Sequence, residues 1–149
     1  MKKVAIIAVL CTLLMVTLVP GVILAKAEKL DLRANPPYKD VPGPDEPVAG
    51  FAILNNDNEA NEVVVVVSLK EGAPNTFYKY VCLEYYSISG VWQKYQWVGS
   101  LTTNRKGKGN FDTRVSLDPG TYYIQVALSP TGAWGLNAFG SDIATIIIK

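Results

Sequence analysis

The chain has 149 residues, with 14 Lys+Arg against 13 Asp+Glu, no histidine and two cysteines. So balanced a charge offers no field to nucleic acid or to an anionic membrane surface. The lack of histidine removes the commonest general base and the commonest metal ligand together.

Residues 1–27 begin with Lys2 and Lys3 and continue as an apolar run from Val4 to Val19, interrupted only by Thr12 and Thr17. Pro20-Gly21 breaks it, and Ala25-Lys26-Ala27 sets small residues where a signal peptidase reads them. The expectation is a secretory signal peptide cut before Glu28 and a protein that is secreted to the cell surface. The alternative is a retained anchor, since Val4 to Ala25 is long enough to span a bilayer. Any membrane contact is expected only through this segment. Cleavage leaves 11 Lys+Arg against 13 Asp+Glu, a net charge of −2. It also leaves Cys82 as the single cysteine, which excludes an intramolecular disulfide. A lone strand cysteine reads as a small buried apolar residue. An intermolecular bridge or a reactive thiol is the other reading.

Residues 28–47 carry Pro36, Pro37, Pro42, Pro44 and Pro47. Proline fixes φ and lacks a donor, so the segment reads as an extended, solvated arm or linker. Within it Lys29 to Ala34 alternates and is able to add as a strand to a sheet, with Leu30 and Leu32 as the inserting side chains in a self-assembly arm.

From Val48 to Lys149 the pattern is mostly of period two. A first strand contains Phe51 and Ile53 and ends at Asn55-Asn56-Asp57-Asn58. Glu62 to Leu69 is a second, whose five consecutive valines suggest burial on both sides or a central place in the sheet. Phe77 to Tyr86 is a third. After Ser89-Gly90, Val91 to Leu101 is a fourth, rich in aromatics. Gly107 and Gly109 suit a hairpin loop. Phe111, Thr113, Val115 and Leu117 mark a fifth strand, Tyr122 to Leu128 a sixth and Ile143 to Ile148 a seventh, after a Gly-rich loop at 129–141. Seven short strands without a helical stretch after residue 27 imply an all-β domain, an antiparallel two-sheet sandwich at this length.

Leu117-Asp118-Pro119-Gly120-Thr121-Tyr122 resembles the Leu-x-Pro-Gly-Thr-Tyr corner of immunoglobulin-like and fibronectin-like extracellular modules. The resemblance implies a seven-stranded immunoglobulin-like sandwich. Pro119 would preset the turn, Gly120 would supply its φ, and Tyr122 would bury its ring while its hydroxyl reaches backbone. The missing second cysteine separates the chain from antibody domains. Such a likeness carries no activity with it.

Candidate chemistry is sparse. Asn55, Asp57 and Glu59 offer oxygen ligands of the kind calcium takes from a loop, without EF-hand spacing; a polar inter-strand turn explains the same residues with less. Trp92, Tyr95, Trp97 and Trp134 are the candidate ligand-binding set, with Tyr85 and Tyr86 an aromatic platform for a glycan or a protein surface; Trp92 is opposite in phase to Tyr95 and Trp97, so both faces of the fourth strand carry aromatics. Glu84 and Asp112 are strand carboxylates with no stated reason to pair as a glycosidase needs. Ser87, Ser100 and Ser129 have no histidine partner, and no phosphate loop is present. The expected function is therefore a non-enzymatic cell-surface module without a cofactor, acting through protein contacts or self-assembly, such as a filament or surface-layer subunit. A carbohydrate-binding module is the alternative, and an enzyme with an unrecognised site the third.

Overall fold

A computed structural model describes residues 27–34, 42–131 and 138–149. The expected signal peptide, apart from Ala27, and Trp134 lie outside the described residues. The described chain is all-β and antiparallel: β1 (Ala27–Ala34), β2 (Val48–Asp57), β3 (Glu62–Leu69), β4 (Phe77–Tyr86), β5 (Trp92–Thr102), β6 (Gly109–Ser116), β7 (Gly120–Ser129), β8 (Phe139–Ser141) and β9 (Ala144–Ile148). Hydrogen bonding links them in the order β5-β4-β7-β8-β1-β2-β3-β6, and β9 pairs with β7 beside β8. The sheet curls into a nearly closed, barrel-like form.

Alternation decides which side of each strand faces inward. In β3, Val63, Val65 and Val67 are fully buried, while Val64 and Val66 are half-buried on the outer side. The valine run is thus central, between β2 and β6, but is not buried on both faces. Leu54, Val65, Tyr78, Leu83, Ile124, Val126, Leu128 and Ile146 complete a single core.

The turns follow from short polar side chains. Asp57 Oδ1 accepts the Ala60 amide at 3.4 Å, and Asn61 takes a φ of 53°, a region that Asn tolerates. Between β5 and β6, Asn104 Oδ1 accepts the amides of Lys106 and Lys108 at 2.8 and 3.2 Å. Gly107 has a φ of 72° there, and a Cβ on it would collide with the Gly72 carbonyl oxygen.

Two expectations need correction. Residues 27–34 are not a free spacer. They form β1, paired with β2 from Ala27↔Asn55 to Arg33↔Val48 and with β8 at Leu32↔Ser141. Leu32 is fully buried and Leu30 packs against the same core. The pairing satisfies the backbone of β1 inside its own chain. Arg33 then ties the following segment down, donating from Nη1 to the carbonyl oxygens of Pro44 at 3.1 Å and Glu46 at 2.9 Å. The second correction concerns the expected loop 129–141, whose end, Phe139–Ser141, is β8. Three residues are too few to show a period, and β8 exists through its pairing with β7 and β1.

Candidate functional site

β5 is the anomaly of the sheet. Its residues Trp92–Trp97 are exposed without a break, whereas β3 alternates and β7 is buried without a break from Ile124 to Ser129. Among the described residues it pairs only with β4, so its other side is a free edge over this stretch. Further along, β5 closes on β6: a Cβ at Gly99 would collide with the Phe111 ring, and one at Gly109 would lie 2.8 Å from Leu101 Cδ1. Here glycine permits the close approach that nearly shuts the barrel. At the other end the seam stays open.

The aromatics follow from the register. Cys82 pairs with Trp97 and Glu84 with Tyr95, which puts Tyr95 and Trp97 on the face turned away from the core residues Val81 and Leu83. Tyr95 and Trp97 are 62% and 59% exposed, and Trp92 is 44% exposed. Trp97 packs obliquely on Tyr80 with ring centroids 6.2 Å apart, and its indole N–H donates to the Gly99 carbonyl oxygen at 2.5 Å. Lys79 lies 5.2 Å from the Tyr80 ring centre. Ile88 and Val91, in the β4–β5 turn, extend the apolar surface. Large apolar side chains concentrated on one edge mark contact surfaces rather than solvent faces.

The open end of the seam holds a cleft of about 430 Å³, lined by Asn61, Tyr85, Lys94, Gln96, Ser116, Leu117, Asp118, Pro119 and Tyr122. Tyr85 and Tyr122 meet edge to face at 6.1 Å. The Lys94 ammonium sits 5.1 Å from the Tyr85 ring centre, and the Tyr85 hydroxyl donates to Gln96 Oε1 at 2.8 Å. Burial, then the neighbouring Tyr122, pushes the Tyr85 hydroxyl up to about 12. It stays protonated and serves as a hydrogen-bond donor. The corner supplies the far wall, where the Tyr122 hydroxyl donates to the Asp118 carbonyl oxygen at 2.7 Å. Pro119 and Gly120 form the turn and the start of β7. Of these groups the sequence singles out the corner and, with the aromatic set, Tyr85; Asn61, Lys94, Gln96 and Ser116 carry no signal of their own.

A second polar set lies on the outer face of β4 and β7. Glu84 and Tyr86 are buried, and Gln125 is fully buried. The Tyr86 hydroxyl lies 2.7 Å from Gln125 Oε1 and 3.1 Å from Glu84 Oε2. Gln125 Nε2 donates to the Ser141 carbonyl oxygen at 2.8 Å. The set ties β4, β7 and β8 together. Cys82 is a free thiol beside it, pushed up to about 11 by burial and then by Glu84. A neutral thiol is a poor nucleophile.

The oxygen-rich turn is otherwise engaged. Arg114 Nη1 lies 3.5 Å from Asp57 Oδ2 and 3.3 Å from Glu62 Oε2. Asn55 is half-buried on β2 and Glu59 is exposed in the turn. Among the described residues no three His, Cys, Asp or Glu side chains are grouped to hold a metal ion. Asp112 is on β6 and pairs across to Val66, whereas Glu84 is on β4 and pairs across to Gln125, so the two carboxylates are not brought together. Comparison with family models, curated proteins and solved structures gave no match.

Proposed function

We propose that this chain is a secreted, non-enzymatic β-domain that works at the cell surface through protein contacts, with the outer face and free edge of β5 as its contact surface. One observation carries the reading: six consecutive exposed residues, Trp92–Trp97, on a strand with a free edge. A partner strand laid along that edge would complete its hydrogen bonds, with Tyr95 and Trp97 as apolar anchors.

The finer fold reading is an immunoglobulin-like sandwich. Its support is the pairing pattern: β2-β3-β6 would be one sheet and β5-β4-β7-β9 the other, with the Tyr122 corner at the start of the penultimate long strand. β1 and β8 would then join the two sheets at one side. The secretory reading rests on residues 1–27, from Lys2 to Ala27.

A glycan-binding module is the second reading. It is favoured by the exposed Trp97 ring packed obliquely on Tyr80 and by the ammonium and amide groups of Lys94 and Gln96 in the cleft.

The test is binding of the purified mature protein to envelopes of the cells that produce it, for the wild type and for Tyr95→Ala/Trp97→Ala. Loss of binding in the double variant and after protease treatment of the envelopes supports the protein-contact reading. Loss after periodate oxidation of envelope sugars, with protease without effect, transfers the site to glycan. Binding that ignores both substitutions removes β5 from the function.

A further inference from the structure

The half of the sheet formed by β1, β2, β3 and β6 has an outer face of its own. Strand register fixes three rows across it. The central row is Lys29–Ile53–Val66–Asp112. On one side runs Asp31–Phe51–Ser68–Asn110, and on the other Ala27–Asn55–Val64–Arg114. The middle of this face is therefore Phe51, Ile53, Val64 and Val66, at positions where alternation on a solvated face calls for polar residues. All four are half-buried, while Lys29 and Asp112 at the two ends of the central row are exposed. The Lys29 ammonium is held over the face, 4.9 Å from the Phe51 ring centre.

We propose that this face binds a second copy of the chain in a two-fold dimer, its axis running along the strands between β2 and β3. The charge pattern selects both occupant and axis. Rotation about that axis exchanges the two ends of each row. Lys29 of one copy then faces Asp112 of the second copy, and the reciprocal pair forms at the same time. Ile53 faces Val66 in the centre. In the flanking rows Asp31 meets Asn110 and Arg114 meets Ala27, so none of the three rows sets like charges together. An axis across the strands would instead set Lys29 on Lys29 and Asp112 on Asp112, which costs association rather than favouring it. The Lys70 ammonium, from the residue after β3, also stands 5.3 Å from the Phe51 ring centre, where the same rotation sets Ser68 of the second copy opposite, whereas Lys108, before β6, lies beyond the three rows. An isologous contact of this kind is self-complementary by construction. It is independent of the β5 reading, because Tyr95 and Trp97 belong to the other half of the sheet.

Charge reversal tests it without touching the core. The protein as purified from its producing cells is measured by sedimentation velocity over a wide concentration range, with circular dichroism to verify folding. The wild type is expected at twice the chain mass. Lys29→Glu and Asp112→Lys each place like charges opposite one another twice, and each is expected to weaken the dimer at least about tenfold. The double variant Lys29→Glu/Asp112→Lys exchanges the two ends of the row and is expected to restore it. A monomeric wild type, a dimer indifferent to the single reversals, or a double variant as weak as the singles would each overturn the assignment. The second of these outcomes places the dimer contact elsewhere, and a dimer then lost in Tyr95→Ala/Trp97→Ala assigns it to β5.

Discussion

The Tyr122 hydroxyl donates to the Asp118 carbonyl oxygen at 2.7 Å, while its ring stands edge-on to Tyr85 at 6.1 Å. One side chain thus fastens the turn before β7 and forms a wall of the cleft facing β5. Tyr122→Phe keeps the ring contact and removes only the hydrogen bond. The expected cost is about 0.5–1.5 kcal/mol by denaturant unfolding. Tyr122→Ala also removes the ring and is expected to cost more. Equal costs for the two variants would mean that the ring contributes nothing to the corner.

Gln125 is the only buried amide side chain on β7, and it serves two partners. Gln125→Leu leaves the Ser141 carbonyl without its 2.8 Å donor and takes the 2.7 Å acceptor from the Tyr86 hydroxyl, which keeps the Glu84 carboxylate at 3.1 Å. A buried group left unsatisfied costs about 1–3 kcal/mol. Tyr86→Phe removes the second of those losses in advance. The double variant is therefore expected to be more stable than the sum of the single costs allows, which a double-mutant cycle reads directly. Strict additivity would show that the 2.7 Å contact contributes no coupling.

Where the strands run was largely legible in the sequence, because alternation is local. Glu62–Leu69 and Phe77–Tyr86 begin and end where period two and the flanking turn residues place them. Which strands meet was not legible, since pairing is decided by residues far apart in the chain. β1 shows this best. Lys29 to Ala34 alternates visibly, but five nearby prolines dominate the local reading, and only the partners Phe51, Ala52 and Ser141 make a sheet strand of it. The exposed aromatics of β5 were readable as a surplus on both faces. The cleft was not, because Asn61, Lys94 and Asp118 come from three separate segments joined only by the near-closure of the barrel. Gln125, flanked by Ile124 and Val126, carried a faint signal: a polar residue inside a strand that is otherwise apolar from Ile124 to Leu128.

Alkaline pH is expected to destabilise the fold in two stages. In the folded protein Cys82 is raised from 9.0 to about 11 and Tyr85 from 10.0 to about 12, with burial the leading cause for both. Their stabilising contribution is complete below the unfolded values. As pH rises past about 9 the unfolded chain releases the thiol proton first, so it binds fewer protons than the native state and stability falls with pH. Tyr85 joins above pH 10. The denaturant midpoint should therefore decline from about pH 9 in the wild type and from about pH 10 in Cys82→Ser. Alkylation by iodoacetamide offers an independent check. At pH 9 the native thiol should react much more slowly than the denatured one, and similar rates would mean that Cys82 is not held in its neutral form.

β1 supplies the clearest test of what holds residues 27–34 in the sheet. Leu30 and Leu32 share one face of the strand, but Leu32 is fully buried and Leu30 only partly so. Leu32 pairs with Gly50 on one side and Ser141 on the other, where a side chain smaller than leucine leaves a cavity that the two neighbouring strands cannot collapse to fill. Leu32→Ala is therefore expected to cost about 2–5 kcal/mol. Leu30→Ala forfeits less burial and is expected to cost clearly less, in the same unfolding measurement. If β1 instead served chiefly as an arm delivered to another copy, Leu32→Ala would lower the assembled mass and leave the isolated chain's unfolding midpoint where it was. A fall in the midpoint of the isolated chain, larger for Leu32 than for Leu30, locates the contribution of β1 within its own domain.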